Sequence, residues 1–242
     1  MCTGVARRSV FEERKQAWMS RALTRVPGVG YPKGVSLVEI FPTTYYYAPL
    51  IKNSRARASL LKEIRSEIPR IRDYDVAGRK WSATKYLGGY TSYGSLAELH
   101  QFSSTFAELK GHLDTHVASF AKALDADLKN HTLELTQMWA NVMPQGVVHS
   151  GHLHPLASVS GTVYVDVPKG SSGLKFEDPR LPCFMGSIPR KSTGGSSRSE
   201  RYHLLQPQEG YVVLFESWLR HEVPANPARG ERVSVSFNYN WF

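Results

Sequence analysis

HSGHLHPLASVSGTVYVDV, residues 149–167, changes character partway along, and its second half decides the fold. In SVSGTVYVDV the residues Val159, Gly161, Val163, Val165 and Val167 share one face of an extended chain, and Ser158, Ser160, Thr162, Tyr164 and Asp166 share the other. The closing segment RVSVSFNYNW, residues 232–241, repeats the arrangement: Val233, Val235, Phe237, Tyr239 and Trp241 alternate with Arg232, Ser234, Ser236, Asn238 and Asn240. Two strands, each greasy on one side and polar on the other, predict a polar cavity inside a β-sandwich or barrel.

Upstream the period is helical. Asn53 stands where a cap is needed, and Leu60, Leu61, Ile64 and Ile68 follow at helical spacing. The apolar positions Leu96, Leu99, Phe102, Phe106, Leu109, Leu113, Val117, Phe120 and Leu124 step by three or four, which predicts one continuous stripe packed on a sheet. Ser95 and Glu98 have capping-box spacing at its start, and Thr105 with Glu108 repeats that spacing, where the helix can break or restart. SLVEIFPTTYYYAPL, residues 36–50, reads as a strand entering the fold. The chain is thus divided into a basic N-terminal segment, 1–34, and a single domain, 35–242, with helical support over about 53–126 and a β core over about 131–242.

With 242 residues, 41% hydrophobic and 11% aromatic, the chain is large enough for one sizeable core, which excludes disorder as its main state. The net charge of +9 arises before residue 81: residues 1–80 carry 16 Lys+Arg against 7 Asp+Glu, and the remainder 14 against 14. No zinc-finger, RNA-recognition or arginine-rich pattern accompanies that charge, so nucleic acid is not the expected partner. Cys2 and Cys183 are too far apart for a disulfide framework, no apolar run reaches membrane length, and the amino terminus lacks a secretory pattern. A reducing, cytoplasmic setting without membrane contact follows. No G-x-S-x-G, P-loop or G-x-G-x-x-G occurs, which removes serine hydrolases and nucleotide binders.

His152 and His154 stand two apart, so on an extended backbone both rings point to one side and reach one ion; zinc, copper or ferrous iron suits such a pair. Alone, the pair fits hydrogen-bonded surface histidines as readily. Far along the chain His221 follows the strand YVVLF, and Arg232 with Ser234 opens the last strand. An oxygen-activating ferrous centre needs three protein ligands on one face, leaving two positions for a chelating 2-oxo acid and one for dioxygen. The guanidinium fork of Arg232 matches the distal carboxylate of such an acid, Ser234 offers a hydroxyl, and Tyr164 a phenol.

Together HLHP, SGTVYVDVP, SGLKFEDPR, LFESWLRHEV and RVSVSFNYNW resemble the iron and 2-oxoglutarate-dependent oxygenase superfamily. More narrowly they resemble its bacterial and phage family with H-x-H-P and S-W-L-x-H-x-V patterns, over about residues 131–242, and IFPT and GGYTS extend the likeness upstream. The resemblance implies a mainly β fold with flanking α-helices, a double-stranded β-helix or jelly roll of cupin-like type, binding Fe(II), 2-oxoglutarate and O2 and hydroxylating a C–H bond with release of succinate and CO2. By position, His152 resembles the first ligand, His221 the distal histidine, Arg232 the cosubstrate-carboxylate residue and Tyr164 a tyrosine used by prolyl-hydroxylase-like relatives. His154 departs from the pattern, since the superfamily usually has a carboxylate there. Either His154 completes a three-histidine set, or Asp166, Glu177 or Asp178 supplies the carboxylate. Three neutral imidazoles leave iron with the cosubstrate dianion near neutral, which could favour another metal or dispense with the 2-oxo acid. A jelly-roll metal or anion binder without oxidation is the alternative of a different class.

Other residues are read two ways. His149 is a hydrogen-bonding neighbour of the ligands or an ordinary strand-edge histidine, and Asn141 touches cosubstrate or shapes the turn before Pro144. Trp139, Trp218 and Trp241 read as core or rim packing. The loop 179–201, with Arg190, Lys191, Arg198 and Arg201, suits a lid over an anionic small-molecule substrate, and a solvated loop accounts for its charge equally.

Overall fold

From Leu133 onward the alternating chain folds as strands, and the helical periods before it fold as helices. The computed structural model describes residues 40–189 and 200–242, of which those from Thr44 form one compact unit to Phe242. In order the elements are β1 (Tyr45–Pro49), α1 (Ser54–Tyr74), α2 (Val76–Lys85), β2 (Tyr90–Thr91), α3 (Leu99–Phe102) and α4 (Ser104–Ala123). Strands β3 (Leu133–Met143), β4 (His149–His152), β5 (Val159–Asp166), β6 (Leu174–Glu177), β7 (Tyr202–Leu205), β8 (Tyr211–Glu216), β9 (His221–Val223) and β10 (Arg232–Trp241) complete it. They pair antiparallel into a six-stranded sheet, β1-β8-β5-β10-β3-β2, and a four-stranded sheet, β4-β9-β6-β7.

The two faces of β5 and β10 divide as their sequence predicts. Val163, Val165, Val235, Phe237 and Tyr239 join Leu60, Ile64 and Ile68 of α1 and Phe106, Leu109 and Leu113 of α4 in one apolar cluster behind the larger sheet. Each such side chain contributes about 1.5–3 kcal/mol by leaving water. Tyr239 satisfies its hydroxyl by donating to Asp114 of α4 at 2.7 Å, fixing helix to sheet. A second cluster lies between the sheets, joining Met143, Tyr164, Val213 and Phe215 to Leu174, Phe176, Leu205 and Val223 of the smaller one. The order is therefore helices, large sheet, small sheet.

Asn53 caps α1, its side chain accepting from the Ala56 N–H at 3.0 Å. The helix along the stripe from Leu96 to Leu124 restarts close to where the spacing of Thr105 and Glu108 allows a break, with the cap at Ser103 in place of Thr105. Ser103 takes extended backbone angles and its hydroxyl accepts from Phe106 N–H while donating to Glu67, so it caps α4 and ends α3 after one turn. Ser95 caps nothing; its hydroxyl donates to Asp75. Helix α2, capped by Asp75 through Gly78 N–H, carries too weak an apolar stripe to be seen in the sequence. The entering strand begins at Tyr45. The basic segment 1–34 and the start of the proposed entering strand, residues 36–39, lie outside the described residues. No described helix is long and apolar enough to cross a membrane.

Gly161 marks where the large sheet tolerates no side chain. A Cβ there would sit 2.5 Å from Phe237 Cζ and 2.6 Å from the Val213 carbonyl oxygen. Gly161→Ala is expected to cost about 1–3 kcal/mol, read as a lower urea midpoint at unchanged m-value; a midpoint equal to wild type would contradict this packing.

Candidate metal centre

Strand pairing brings the distant histidines together. His152 closes β4 and lies directly opposite His221, which opens β9. His154 follows in a turn pinned by its own N–H donating to the Ser217 carbonyl at 3.0 Å. Ring centroids are 4.4 Å apart for His152 and His221, and 5.2 Å from His154 to each. One ring nitrogen from each falls within 4.8 Å of the others, and this is the one such group of metal-capable side chains among the described residues.

Each ring is oriented by an acceptor on its Nδ1. Carbonyl oxygens only accept, so His152 donates from Nδ1 to Ser150 at 2.7 Å and His221 to Leu219 at 2.8 Å. His154 donates from Nδ1 to Asn238 Oδ1 at 2.8 Å. With Nδ1 protonated, the Nε2 lone pairs are left for a ligand, the arrangement that metal-binding imidazoles adopt. His154 Nε2 is buried without any partner, a position a cation would satisfy. Asn238 is itself held, accepting from Ser160 at 2.8 Å and donating to Gln137 at 2.7 Å.

Burial keeps the cluster neutral. Desolvation, then the neighbouring His152, pushes His154 down to about 4, and burial lowers His152 and drives His221 well below the usual histidine range. Neutral imidazoles are the form that binds first-row metals.

The inner face of the large sheet supplies the opposite wall. Register sets its polar residues in rungs across β5, β10 and β3: Ser160, Asn238 and Gln137; Thr162, Ser236 and Trp139; Tyr164, Ser234 and Asn141. The last two rungs and Arg232 line a narrow pocket that also touches His152, His154 and His221. Arg232 is 4% exposed, makes no ion pair among the described residues, and leaves its Nε unpartnered. Its guanidinium lies 5.2 Å from the Tyr164 ring centroid. The Tyr164 hydroxyl and Asn141 Oδ1 are likewise buried without partners, and burial pushes Tyr164 up to about 12. A buried guanidinium with no counterion, beside an unpartnered phenol that can donate, is a seat for an anion.

The carboxylates considered as a third ligand lie elsewhere. Asp166 faces Arg65 at 3.6 Å, Glu177 faces Arg220 at 3.6 Å, and Asp178 pairs with Arg180 at 2.8 Å. His149 is no ordinary strand-edge residue: its ring stacks on His152 at 4.4 Å and lies 5.3 Å from Tyr86. A register shift between His149 and His152 turns both inward, which simple alternation would forbid. Asn141 donates to Ser236 at 3.0 Å from within the pocket. Trp139 is a wall residue, stacked on His154 at 6.0 Å, whereas Trp218 and Trp241 are half-exposed away from it. Sequence reasoning misses Trp81, Tyr86, Tyr93 and Gln137; Gln137 faces Asn238 across the β3–β10 pairing, a relation no local pattern displays. The described parts of the 179–201 loop line neither this pocket nor the cavity beside it, and residues 190–199 lie outside the described residues.

Residues 137–238, which contain all three histidines and Arg232, match the family model described as "Putative 2OG-Fe(II) oxygenase". Within that segment the chain is similar to 2OG-Fe(II) oxygenases. No curated protein matches it in sequence. Among solved structures, a Pseudomonas putida prolyl-4-hydroxylase is 15% identical with 82% of this chain and 92% of that chain covered, at a TM-score of 0.50. The non-heme alpha ketoglutarate dependent epimerase SnoN from nogalamycin biosynthesis is 17% identical, with 82% and 76% covered and a TM-score of 0.55. SnoN has also been solved with Fe3+, alpha ketoglutarate and nogalamycin RO. An oxidoreductase of the 2OG-Fe(II) oxygenase family from Burkholderia pseudomallei is 16% identical at a TM-score of 0.35, with 46% of each chain covered, so this chain spans less than half its length. At such identities the likeness is one of fold, the double-stranded β-helix.

The neutral histidines make the metal-free protein acid-sensitive. Unfolded histidines take up protons near pH 6.5, whereas folded His154 and His149 stay neutral to about 4 and about 3. Between those limits the unfolded state binds more protons, so stability is complete above about pH 6.5 and falls as pH drops toward 4. Thermal midpoints of the metal-free protein should fall across that window, with a shallower slope in His149→Gln; a flat profile would sink this assignment.

Proposed function

We propose that this chain is an Fe(II)- and 2-oxoglutarate-dependent oxygenase that hydroxylates a C–H bond of a small-molecule substrate. His152, His154 and His221 hold the iron in this reading, and Arg232, Ser234 and Tyr164 hold the cosubstrate. The observation that carries it is the buried Arg232, without a counterion among the described residues and facing three inward histidines across one narrow pocket. A structural metal site has no use for a buried, unpaired guanidinium at that place. The reducing cytoplasm, where Cys183 stays a free thiol, is the compartment this reading assigns.

When bound, ferrous iron and 2-oxoglutarate supply an oxidant from O2: RH, 2-oxoglutarate and O2 give ROH, succinate and CO2. The chain contributes positioning. Asn238, Ser150 and Leu219 hold the three Nδ1 protons, which keeps each Nε2 lone pair directed inward. Arg232 offers its fork to a carboxylate, Tyr164 and Ser234 add hydroxyl donors, and the surrounding burial keeps bulk water out.

Anaerobic addition of Fe(II) and 2-oxoglutarate should produce a visible charge-transfer band, and air should then yield succinate. His221→Ala should abolish both. Arg232→Gln should keep Fe(II) binding but weaken 2-oxoglutarate about 30-fold or more. Absence of band and succinate in the wild type would favour a non-oxidative metal or anion binder. Asn238→Ala releases the His154 ring and should weaken Fe(II) or Zn(II) binding by about 10- to 100-fold in calorimetric titration; unchanged affinity would mean the amide does not orient that ring.

A further inference from the structure

The histidine cluster has a second opening. On the side away from Arg232, His149, His152 and His154 also border a cavity of about 590 Å³, within the range that holds drug-sized ligands. Its floor is Trp139, 4% exposed, with the indole stacked on His154 and Tyr93 set edge-on against it at 4.9 Å and 62°. Trp81 continues the wall, seated on Gly94, where a Cβ would meet its ring at 2.9 Å. None of these three rings belongs to either apolar core, and Trp81 and Tyr93 are 36% and 45% exposed. Packing of the fold accounts for the buried Trp139 but not for the exposed faces of Trp81 and Tyr93.

The polar lining is largely uncharged. Thr136, Gln137 and Asn240 present hydroxyl and amide groups, and the charged lining residues are one of each sign, Lys85 and Glu98, apart from the neutral histidines. An anionic substrate would need an excess of cations here. The basic loop that pointed to one contributes no described residue to the lining.

We propose that this cavity binds an uncharged, ring-bearing small molecule with hydroxyl or amide groups, its ring against Trp81, Tyr93 and Trp139 and its polar edge toward Gln137 and Asn240. Calling this molecule the substrate rests on the histidine cluster being the iron site; the binding itself does not. Aromatic walls reward planar rings by stacking, and side-chain amides reward neutral donors and acceptors without the desolvation cost of a charge.

The test is equilibrium dialysis of the metal-free full chain with two probes that share one ring system: 4-methylumbelliferyl glucoside, which is neutral, and 4-methylumbelliferyl phosphate, which is anionic. The glucoside should bind with a Kd of about 1 mM or tighter, and the phosphate several-fold more weakly. Trp81→Ala and Tyr93→Ala, both at half-exposed positions, should each weaken the glucoside about three- to tenfold, with Trp241→Ala as the unaffected control. Phosphate binding equal to or tighter than the glucoside, no glucoside binding at about 5 mM, or full retention in both variants overturns the proposal. Zn(II) titration runs in parallel: glucoside bound without Zn(II) binding removes the iron-site reading and leaves the cavity inference standing, and the reverse removes the cavity inference alone.

Discussion

The antiparallel pairing of β4 with β9 is the constraint on which the site depends. It sets His152 opposite His221 across 69 residues of chain, so the two rings meet because backbone amides pair, not because either histidine seeks the other. The carbonyls of Ser150 and Leu219 then fix which nitrogen each ring presents. Rotating the His221 ring would break a buried hydrogen bond, which costs about 1–3 kcal/mol. The lone pairs are thus aimed before any ligand arrives.

The rest of the fold serves the opposite wall. A sheet can afford a polar inner face only if its other face is well buried, and α1 and α4 provide that burial behind β5, β8 and β10. Tyr164, Arg232 and Asn141 keep unpartnered polar atoms in the interior, an arrangement that lowers stability and is retained at sites built for a ligand. The apolar cluster between the sheets lies beside this wall and keeps it from solvent.

Alternation was enough to read which residues of β5 and β10 face the helices and which face the pocket, because a strand with one buried face has its register imposed by period-two polarity. The H-x-H pair was noticed for its spacing, and His221 for its place ahead of Arg232 and Ser234 and for the family resemblance. Ser103 was not, since ending a helix there depends on a hydroxyl bridging Phe106 N–H and Glu67 of another helix. Nor was His149: the irregularity in β4 that turns it inward leaves no mark on local polarity. Trp81 and Tyr93 sit in helical and turn segments whose approach to β3 and β4 is a tertiary fact, so their sequence neighbourhoods could not announce a cavity.

The partner chosen for His154 bears on the charge of the whole site. A carboxylate accepting from its Nδ1 would make the imidazole more basic and add a negative charge to a buried pocket. Asn238 accepts the same proton with no charge, and its own amide is committed to Gln137, so its orientation is fixed. Three neutral imidazoles facing one buried guanidinium leave the pocket positive even before a divalent cation is considered. In the proposed reading, a dianion would meet Arg232 at one end and a bound cation at the other. A carboxylate at position 154 would offset part of that positive charge from within the protein and would weaken the hold on such an acid. The neutral set at this position therefore shifts the burden of charge balance from the chain to its ligand.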